Sequence, residues 1–545
     1  MSRTSAEPPV VIERAATVSL TDQITWQLRE AIRRGQVGAG ERLPSTRALA
    51  VTLAVSRTVV SNAYAQLYAE GWLEGRHGSG SYAAPGAGTE QDGDGHRTPP
   101  SAGPGTSAAR GRPASVAFSA AAARSAAGTV AGPARSAART AVGPAHSAAR
   151  TAAGLARSAA RSAAGPASDR GFTDLRPGIP WAAGISETAW RRAWRRAGTV
   201  LPSAATDPAG PYASSALDPR GSEPLPEVLS GYLRRMRGVS FQPDEIVITR
   251  GVANSVDMLF AALLRPGDRV GIEEPGYPVA REIALARGLE PVPCPVDEQG
   301  LVVDRLPERL RLVYTTPAHQ YPVGGRLPVP RRRALLTWAS RTGAYVVEDD
   351  YDSEFRYDVA PLPALYGLGP HGPATVVYLG TTAKTLTPEL NVGWLVARED
   401  VVGAVLRARQ RLGDKTPTPA QQAVAELIAR GELERHIRRM RLEYARRRAA
   451  IVAALADLPP PARLLGDTAG MHVLLELPDA VVAPAIEAAA GHGIALMALD
   501  RRYFGGPVTA HGLVLGYGGA SLSRVISAGR TLREVLLPLL RRAPV

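Results

Sequence analysis

The chain has 545 residues, 45% of them hydrophobic, and at roughly 150 residues per domain this length allows about two to four domains. A net charge of +14 favours an anionic partner, and the single cysteine, Cys294, excludes an internal disulfide. The N-terminus lacks the apolar core of a signal peptide and no uninterrupted apolar stretch reaches about 18 residues, so we expect a cytoplasmic protein that does not enter a membrane.

The first predicted elements are three helices and a β-hairpin. Apolar residues recur with helical spacing in residues 20–34. Ser45 then opens a short helix, residues 54–56 form a tight turn, and Ser56 caps a further helix that runs to about Glu70. This is the spacing of a helix-turn-helix, and the sequence from Trp72 onward indicates a β-hairpin with glycines at its tip.

The second helix of that pair is predicted to lie in the major groove of DNA. Its N-terminal residues then face base edges and phosphates, and Arg57 is the best candidate for base readout. The glycines in the hairpin tip, residues 76–80, leave room for the backbone to approach DNA phosphates. A single surface arginine often contacts only solvent, so the prediction of DNA binding rests on the helix-turn-helix and the hairpin together.

Residues 84–170 change abruptly to Ala, Gly, Ser, Pro and Arg. An 11-residue near-repeat runs from Ala122 to Gly165, but it carries no apolar stripe that could pack, so we expect a mostly disordered linker. The linker contains ten arginines and four acidic residues. Much of the basic charge therefore lies in a segment suited to loose phosphate contacts, and the net charge alone is weak support for specific DNA binding.

From residue 171 onward, apolar runs alternate with amphipathic stretches of helical length. Strands are predicted at residues 245–249, 269–275, 311–317, 344–351, 375–381 and 392–397. Such alternation indicates an α/β fold with a buried, largely parallel sheet. Ligands of these sheets gather at the carboxyl ends of the strands, where residues 348–351 and Lys384 fall. Residues 435–458 and 526–540 predict helices of a smaller C-terminal subdomain.

Lysine is rare in this chain: among 64 basic Lys and Arg residues only Lys384 and Lys415 are lysines. Arginine stays protonated near neutral pH, whereas a lysine in a tuned site can become a free amine and form a Schiff base with an aldehyde. Lys384 follows an apolar strand, but Lys415 stands in a loop-like GDKTPTP segment. Lys384 is therefore the candidate for amine chemistry.

The residues predicted around Lys384 suit an aromatic aldehyde that carries a phosphate. Asp349, at a strand end, would hold a pyridine nitrogen, and Tyr351 would donate to a phenolate oxygen. Tyr277 would stack on the ring, and the turn at residues 251–254, which opens a helix, would seat the phosphate. An acidic turn and a glycine turn are each common without a ligand, so their combination carries the prediction.

Three motifs near the N-terminus, LPSTRALA, SRTVVSNAY and EGWLEGRHGSGSY, resemble the winged helix-turn-helix of the GntR superfamily. The resemblance extends over residues 19–83 and follows the same order of motifs. It implies an α+β DNA-binding domain with contacts to double-stranded DNA at Arg47, Ser56, Arg57, Thr58, Ser61, His77 and Gly78.

The remainder of the chain resembles fold type I aminotransferases over residues 172–540, in motifs such as ITRGVANSVDML, EEPGYP, TTPAHQYPVGG and YLGTTAKTLTP. EDDYDSEFRY and HIRRMR, together with the preceding winged helix and linker, resemble the MocR subgroup. The resemblance implies pyridoxal 5′-phosphate (PLP) as cofactor, Lys384 as the Schiff-base lysine, and a homodimer in which the partner subunit's Tyr212 reaches the phosphate. It implies the further cofactor contacts Asp349, Tyr351, Tyr277, Val252, Ala253 and Thr381.

Several positions depart from the pattern of these relatives. Asn391 stands where they usually carry the arginine that clamps the phosphate, and Ala383 replaces the usual serine before the lysine. Asparagine cannot match a charged bidentate clamp, so we expect weaker PLP binding. Val514 occupies the position where many aminotransferases hold the substrate carboxylate with arginine, which leaves an amino-acid substrate without an anchor unless Arg501 or Arg502 substitutes.

We therefore predict a winged helix-turn-helix at residues 15–83, a flexible linker at 84–170 and an aminotransferase-like domain at 171–545, with no metal site. The predicted function is that of a MocR/GntR-type transcriptional regulator that binds operator DNA and senses PLP or an amine effector, rather than an enzyme. Two alternatives remain at this point. One is a PLP-dependent aminotransferase fused to a DNA-binding domain, and the other is a regulator whose C-terminal domain has lost PLP and only dimerises.

Overall fold

The computed structural model describes residues 8–14, 19–76, 80–84, 172–199, 219–237, 241–357, 364–368 and 375–542. Apart from Ala84, the predicted linker lies outside these residues, as do three predicted site residues: His77, Gly78 and Tyr212.

Residues 19–76 and 80–84, the head, form a winged helix-turn-helix, as predicted. Ser45 and Ser56 each cap a helix by accepting a backbone hydrogen bond, from Ala48 at 3.1 Å and from Val59 at 3.4 Å. The turn between these helices is closed by Ala54, whose φ of 51° is left-handed. The elements are α1 (Leu20–Arg33), α2 (Thr46–Thr52), α3 (Arg57–Glu70), β1 (Leu73–Arg76) and β2 (Gly80–Ala83).

The C-terminal domain alternates strands and helices and then ends in a smaller subdomain. Its first part contains β3 (Thr173–Asp174), α4 (Glu187–Gly198), α5 (Leu225–Arg237), β4 (Ile246–Thr249), α6 (Val252–Leu263), β5 (Arg269–Glu274), α7 (Pro278–Ala286), β6 (Glu290–Asp297), β7 (Gly300–Leu301), β8 (Leu312–Thr315), α8 (Val329–Thr342), β9 (Tyr345–Asp350), β10 (Val376–Thr381) and β11 (Gly393–Val396). Its second part contains α9 (Glu399–Leu412), α10 (Thr418–Ala429), α11 (Glu432–Leu455), β12 (Arg463–Leu465), β13 (His472–Glu476), α12 (Asp479–Gly491), β14 (Ile494–Ala495), β15 (Gly512–Gly516) and α13 (Leu522–Arg542).

A sheet of eight strands, in the order β4-β11-β10-β9-β8-β5-β6-β7, organises the C-terminal domain. The neighbours from β10 to β6 are parallel, whereas β11 is antiparallel to both β10 and β4. All six predicted strands belong to this sheet, which confirms the α/β fold. The carboxyl ends of β9 and β10 carry Asp349 and Thr381, so the predicted site residues meet at one edge of the sheet.

Strand β6 is absent from the sequence-based prediction because it has proline at every second position: Pro291, Pro293 and Pro295. The N–H positions of alternate residues fall on the same side of a strand, so the three missing donors share one side. The carbonyl of Pro295 accepts from Val302 N at 3.0 Å on the side of β7, and the opposite side pairs with β5. Proline therefore leaves the pairing with β5 intact.

The smaller subdomain contains both predicted C-terminal helices, as parts of α11 and α13, which pack against each other. It also contains a three-stranded antiparallel sheet, β12-β13-β15, which is not among the strands predicted from the sequence. None of the helices in the described part of the chain is long and apolar enough to cross a bilayer.

The head packs on helix α8 of the C-terminal domain. Val329, the first residue of α8, is 3% exposed and belongs to the hydrophobic core of the head. The guanidinium of Arg333, one turn further along, lies 5.1 Å above the ring of Trp72. A side chain at Gly71 would come within 3.3 Å of the Val329 backbone, so glycine permits this close approach.

Candidate functional site

A cavity of about 360 Å³ lies at the carboxyl edge of the large sheet. All seven predicted cofactor residues within the described part of the chain line it: Lys384, Asp349, Tyr351, Tyr277, Val252, Ala253 and Thr381. Their sequence positions span more than a hundred residues, so the fold alone brings them together. These seven residues supply an amine, a carboxylate, two phenols and a helix N-terminus, and Tyr321 and Asp352 line the same pocket.

The amine of Lys384 points to the backbone of a distant segment. Its Nζ donates a hydrogen bond to the carbonyl of Gly178 at 2.7 Å, and a side chain at Gly178 would come within 2.9 Å of Nζ. Burial lowers the pKa of Lys384, against the opposing attraction of Asp352 and Asp349. A lowered pKa increases the fraction of free amine, which is the form that attacks an aldehyde.

Asp349 presents one carboxylate oxygen for a ligand. Its Oδ2 accepts a hydrogen bond from the hydroxyl of Tyr314, while its Oδ1 is buried without a hydrogen-bond partner among the described residues. Burial raises the pKa of this carboxyl to about 7, although the Tyr314 bond opposes the rise. A protonated ring nitrogen placed against Oδ1 would supply the missing partner.

The N-terminus of α6 forms an open anion seat. The helix begins at Val252 after Gly251, whose φ is 84°, and no side chain caps its first N–H groups. Such groups and the helix dipole favour a phosphate. Asn391 lines the same cavity with a left-handed φ of 48°, and Arg250 lines it while paired to Asp414.

Tyr351 belongs to a buried hydrogen-bond network that the sequence patterns do not reveal. Its hydroxyl lies 3.0 Å from His319 Nδ1, which also lies 3.0 Å from a carboxylate oxygen of Asp352. The ring of His472 packs against that of His319 in a tilted arrangement, with 4.9 Å between the centroids and 42° between the planes, and His472 Nε2 lies 3.2 Å from the carbonyl of Pro322. His319, Asp352 and His472 offer possible metal ligands within 4.8 Å of one another. The hydrogen bonds above engage His319 Nδ1 and His472 Nε2 and position Tyr351, whereas His319 Nε2 is buried without a hydrogen-bond partner among the described residues.

The two positions considered for a substrate carboxylate differ in their surroundings. Val514 is fully buried in β15 among Leu474 and Leu499, away from the cavity lining. The guanidinium of Arg502 instead lies 5.6 Å from the ring centroid of Tyr321, which lines the cavity. The neighbouring Arg501 is exposed to solvent.

The predicted DNA contacts of the head lie on α2 and at the start of α3. Arg47, Ser56, Arg57 and Thr58 are exposed, and Ser61 is partly buried. Because the Ser56 hydroxyl accepts the bond from Val59 N, the first turn of α3 is fixed while its neighbouring side chains remain free to meet DNA.

Two family models match this chain. The model described as "Bacterial regulatory proteins, gntR family" matches residues 20–82. The model described as "Aminotransferase class I and II" matches residues 193–499, more than half of the chain. The order of the two matches is that of the head and the C-terminal domain.

Curated relatives share both domains in this order. The chain is 30% identical over 515 residues to the "HTH-type pyridoxine biosynthesis transcriptional regulator PdxR" of Corynebacterium glutamicum, across 94% of this chain and 95% of that protein. It is 31% identical over 539 residues to the "Probable rhizopine catabolism regulatory protein MocR" of Rhizobium meliloti, across 97% of this chain and 96% of that protein.

Solved structures of aminotransferases resemble the C-terminal domain. The α-aminoadipate aminotransferase LysN of Thermus thermophilus, complexed with N-(5'-phosphopyridoxyl)-L-leucine, is 27% identical and matches 69% of this chain and 94% of that chain with a TM-score of 0.60. The kynurenine aminotransferase of Pyrococcus horikoshii is 25% identical with the same TM-score, across 71% of this chain and 94% of that chain. These matches confirm the fold type I domain.

Proposed function

This chain belongs to the MocR/PdxR-type family of GntR transcriptional regulators, and we propose that its C-terminal domain binds PLP through Lys384 and senses PLP or an amine. One observation carries the proposal: the same cavity holds a lysine of lowered pKa and a carboxyl, Asp349, whose buried Oδ1 has no partner among the described residues. An amine and an acceptor for a ring nitrogen are the two groups that a pyridine aldehyde requires.

PLP would supply an aldehyde carbon that reacts with amines and a ring that withdraws electrons. In this proposal Lys384 contributes the amine, and Asp349 accepts a hydrogen bond from the protonated ring nitrogen. Tyr277 covers the ring, and Tyr351, held by His319, donates to the phenolate oxygen. The N–H groups at Val252 and Ala253, with Thr381 nearby, bind the phosphate.

We assign the domain to sensing because two anchors that favour catalysis are replaced. Val514 lies in the core of the smaller subdomain, and Asn391 supplies no charge to the phosphate seat. The retained Lys384, Asp349 and Tyr351 support the rival function, a working aminotransferase with a DNA-binding head. Assays of keto-acid formation from a panel of amino acids distinguish the two, because only the rival predicts sustained turnover.

The proposal assigns DNA binding to residues 15–83, a linker role to 84–170 and effector binding to 171–545 of each subunit in a homodimer. The partner subunit's Tyr212 would complete the phosphate seat. Arg57 is assigned to base readout, with Arg47, Ser56, Thr58 and Ser61 as further DNA contacts. The exposure of Arg57 at the first turn of α3 supports this assignment.

A short segment connects the pocket with the head. Tyr321 lines the cavity, and eight residues later Val329 packs in the core of the head. A ligand can alter the head only if it binds two arrangements of this segment with different affinity. We assign the coupling to this segment because it touches both sites within one continuous stretch of chain.

Absorption spectroscopy of the full-length protein with added PLP tests the proposal. We expect a visible band that borohydride reduction converts to a stable adduct, and peptide mapping should place this adduct on Lys384. Lys415, the second lysine, is exposed and outside the cavity lining, so it serves as the internal control. An adduct on Lys415, or no adduct, would contradict the proposed role of Lys384.

A further inference from the structure

We propose that Arg502 binds the carboxylate of an amine ligand beside the lysine pocket and thereby makes the sensor selective for amino acids over simple amines. This inference rests on the proposed function, because the amine of such a ligand would react at the cofactor held by Lys384. It assigns the carboxylate to a turn of the smaller subdomain rather than to position 514, where the resemblance to aminotransferases would place the anchor.

The guanidinium of Arg502 lies next to two aromatic residues of the pocket. It stands 5.6 Å from the ring centroid of Tyr321, and its charge acts on the hydroxyls of both Tyr321 and Tyr277, where it opposes the rise in pKa that burial causes. Both tyrosines line the cavity that holds Lys384. A ligand in this cavity therefore comes within reach of Arg502.

Arg502 has no acidic partner among the described residues. Its Nη2 contacts the sulfur of Met497, and its Nε is buried without a hydrogen-bond partner in the same set. A partly buried guanidinium in this state gains most from an anion with two oxygens, because a carboxylate can accept two parallel N–H bonds. The Arg502 side chain also hydrogen-bonds Tyr321, but this partner is neutral, so the positive charge remains available to the carboxylate of a ligand.

The other positions that could bind the carboxylate do not offer an unpaired charge beside the pocket. Arg250 lines the cavity directly, but it is paired to Asp414, whose second oxygen is held by Arg409. Val514 is fully buried and apolar. Arg501 precedes Arg502 directly, yet its side chain is exposed and does not contact the tyrosines of the pocket within the described structure.

The turn that carries Arg502 is fixed before any ligand binds. Backbone N–H groups of Phe504, Gly505 and Gly506 donate to the carboxylate of Glu274 at 2.5, 2.8 and 2.8 Å. The carbonyl of Arg502 accepts a bond from Gly276 N at 3.2 Å, next to Tyr277. Because the backbone is held at both ends, binding of an anion does not require the turn to become ordered, and the entropic cost is limited to the Arg502 side chain.

The test compares PLP-loaded full-length wild type, Arg502→Gln and Arg501→Gln in ligand titrations followed by the absorbance of the bound cofactor. The ligands are a panel of amino acids and their decarboxylated counterparts, for example L-alanine and ethylamine. We expect the wild type to respond to at least one amino acid at lower concentration than to the matching amine. In Arg502→Gln the half-saturating concentration of that amino acid should rise about 10- to 100-fold, whereas that of the amine should not change. Arg501→Gln should match the wild type.

The contrary outcomes distinguish an incorrect role of Arg502 from an incorrect proposed function. If the wild type binds PLP but responds equally to amino acids and amines, or if Arg502→Gln responds like the wild type, the role of Arg502 is wrong and the proposed function stands. If the two arginine variants weaken the amino-acid response equally, net charge and not Arg502 is responsible, which also overturns the inference. If the wild type shows no cofactor band, the proposed function fails first.

Discussion

Tyr314 donates a hydrogen bond to one carboxylate oxygen of Asp349, and the other oxygen of Asp349 is buried without a partner among the described residues. Tyr314 lies on β8 and Asp349 on the adjacent β9, so the sheet itself orients the carboxylate. The remaining oxygen is the acceptor that a protonated pyridine nitrogen needs. This relationship links the parallel sheet to the proposed cofactor site.

Replacing Asp349 with Asn should weaken PLP binding by about 10- to 100-fold, because a charge-assisted hydrogen bond worth about 1.5–3 kcal/mol is lost. Equilibrium titration of the cofactor band measures the effect. Tyr314→Phe is the matched control: it keeps the carboxylate and removes only the orienting hydroxyl, so its loss should be smaller. Equal affinities of Asp349→Asn and wild type would contradict the assignment of Asp349.

The pH dependence of stability without cofactor should also report on Asp349. Burial raises the pKa of its carboxyl from 3.8 to about 7, so the folded state retains a proton that the unfolded chain releases. The stability that this proton contributes is complete below about pH 4 and is lost as the pH rises through about 7. Between pH 5 and 8 the wild type should therefore lose more unfolding free energy than Asp349→Asn, by at most about 3 kcal/mol. Urea unfolding at several pH values measures this difference, and identical pH profiles would refute it.

Asn391→Arg should strengthen PLP binding several-fold. A guanidinium near the phosphate adds about 1.5–3 kcal/mol of charge-assisted hydrogen bonding, whereas the left-handed backbone at φ 48° costs arginine roughly 1 kcal/mol more than asparagine. Asn391→Ala carries a similar backbone cost without the charge and should bind PLP no better than the wild type. If both variants bind equally well, the phosphate does not lie near position 391.

Arg57→Ala should reduce the affinity for operator DNA by about 1–3 kcal/mol and relax specificity at one base pair. Arg34→Ala removes the same charge from an exposed arginine that directly follows α1 and is paired with Glu30, so it controls for non-specific electrostatics. Binding measured at fixed salt on the operator and on a scrambled duplex separates base readout by Arg57 from non-specific attraction to the phosphates. A loss that is equal on both duplexes would assign Arg57 to phosphate contact instead.

Much of the fold follows from local patterns. Apolar runs predict the six strands that meet in the large sheet, and Ser45 and Ser56 predict the starts of two head helices because each cap depends on bonds three residues away. Strand β6 escapes prediction because its alternate prolines resemble a loop. β6 can pair with β5 because its prolines face the other side of the strand. This orientation is set by the position of β6 in the sheet and cannot be read from the local sequence.

The candidate site likewise contains residues that local sequence patterns predict and contacts that they do not. Lys384 and Asp349 are predictable because Lys384 follows an apolar strand and Asp349 lies at the end of one, each within a short motif. The Lys384 contact to Gly178 joins residues 206 positions apart, and His472 meets His319 from a different subdomain. The place of Arg502 beside Tyr321 likewise depends on the packing of the smaller subdomain against the sheet. Such contacts arise from tertiary structure and leave no local periodicity.

In the proposed mechanism, the binding of PLP at Lys384 alters how the head binds DNA. Operator affinity measured with and without PLP tests this coupling. We predict that PLP changes the affinity or footprint of the wild type and of Lys415→Ala, while Lys384→Ala binds DNA but does not respond to PLP. A Lys384→Ala protein that responds to PLP as the wild type does would contradict the account.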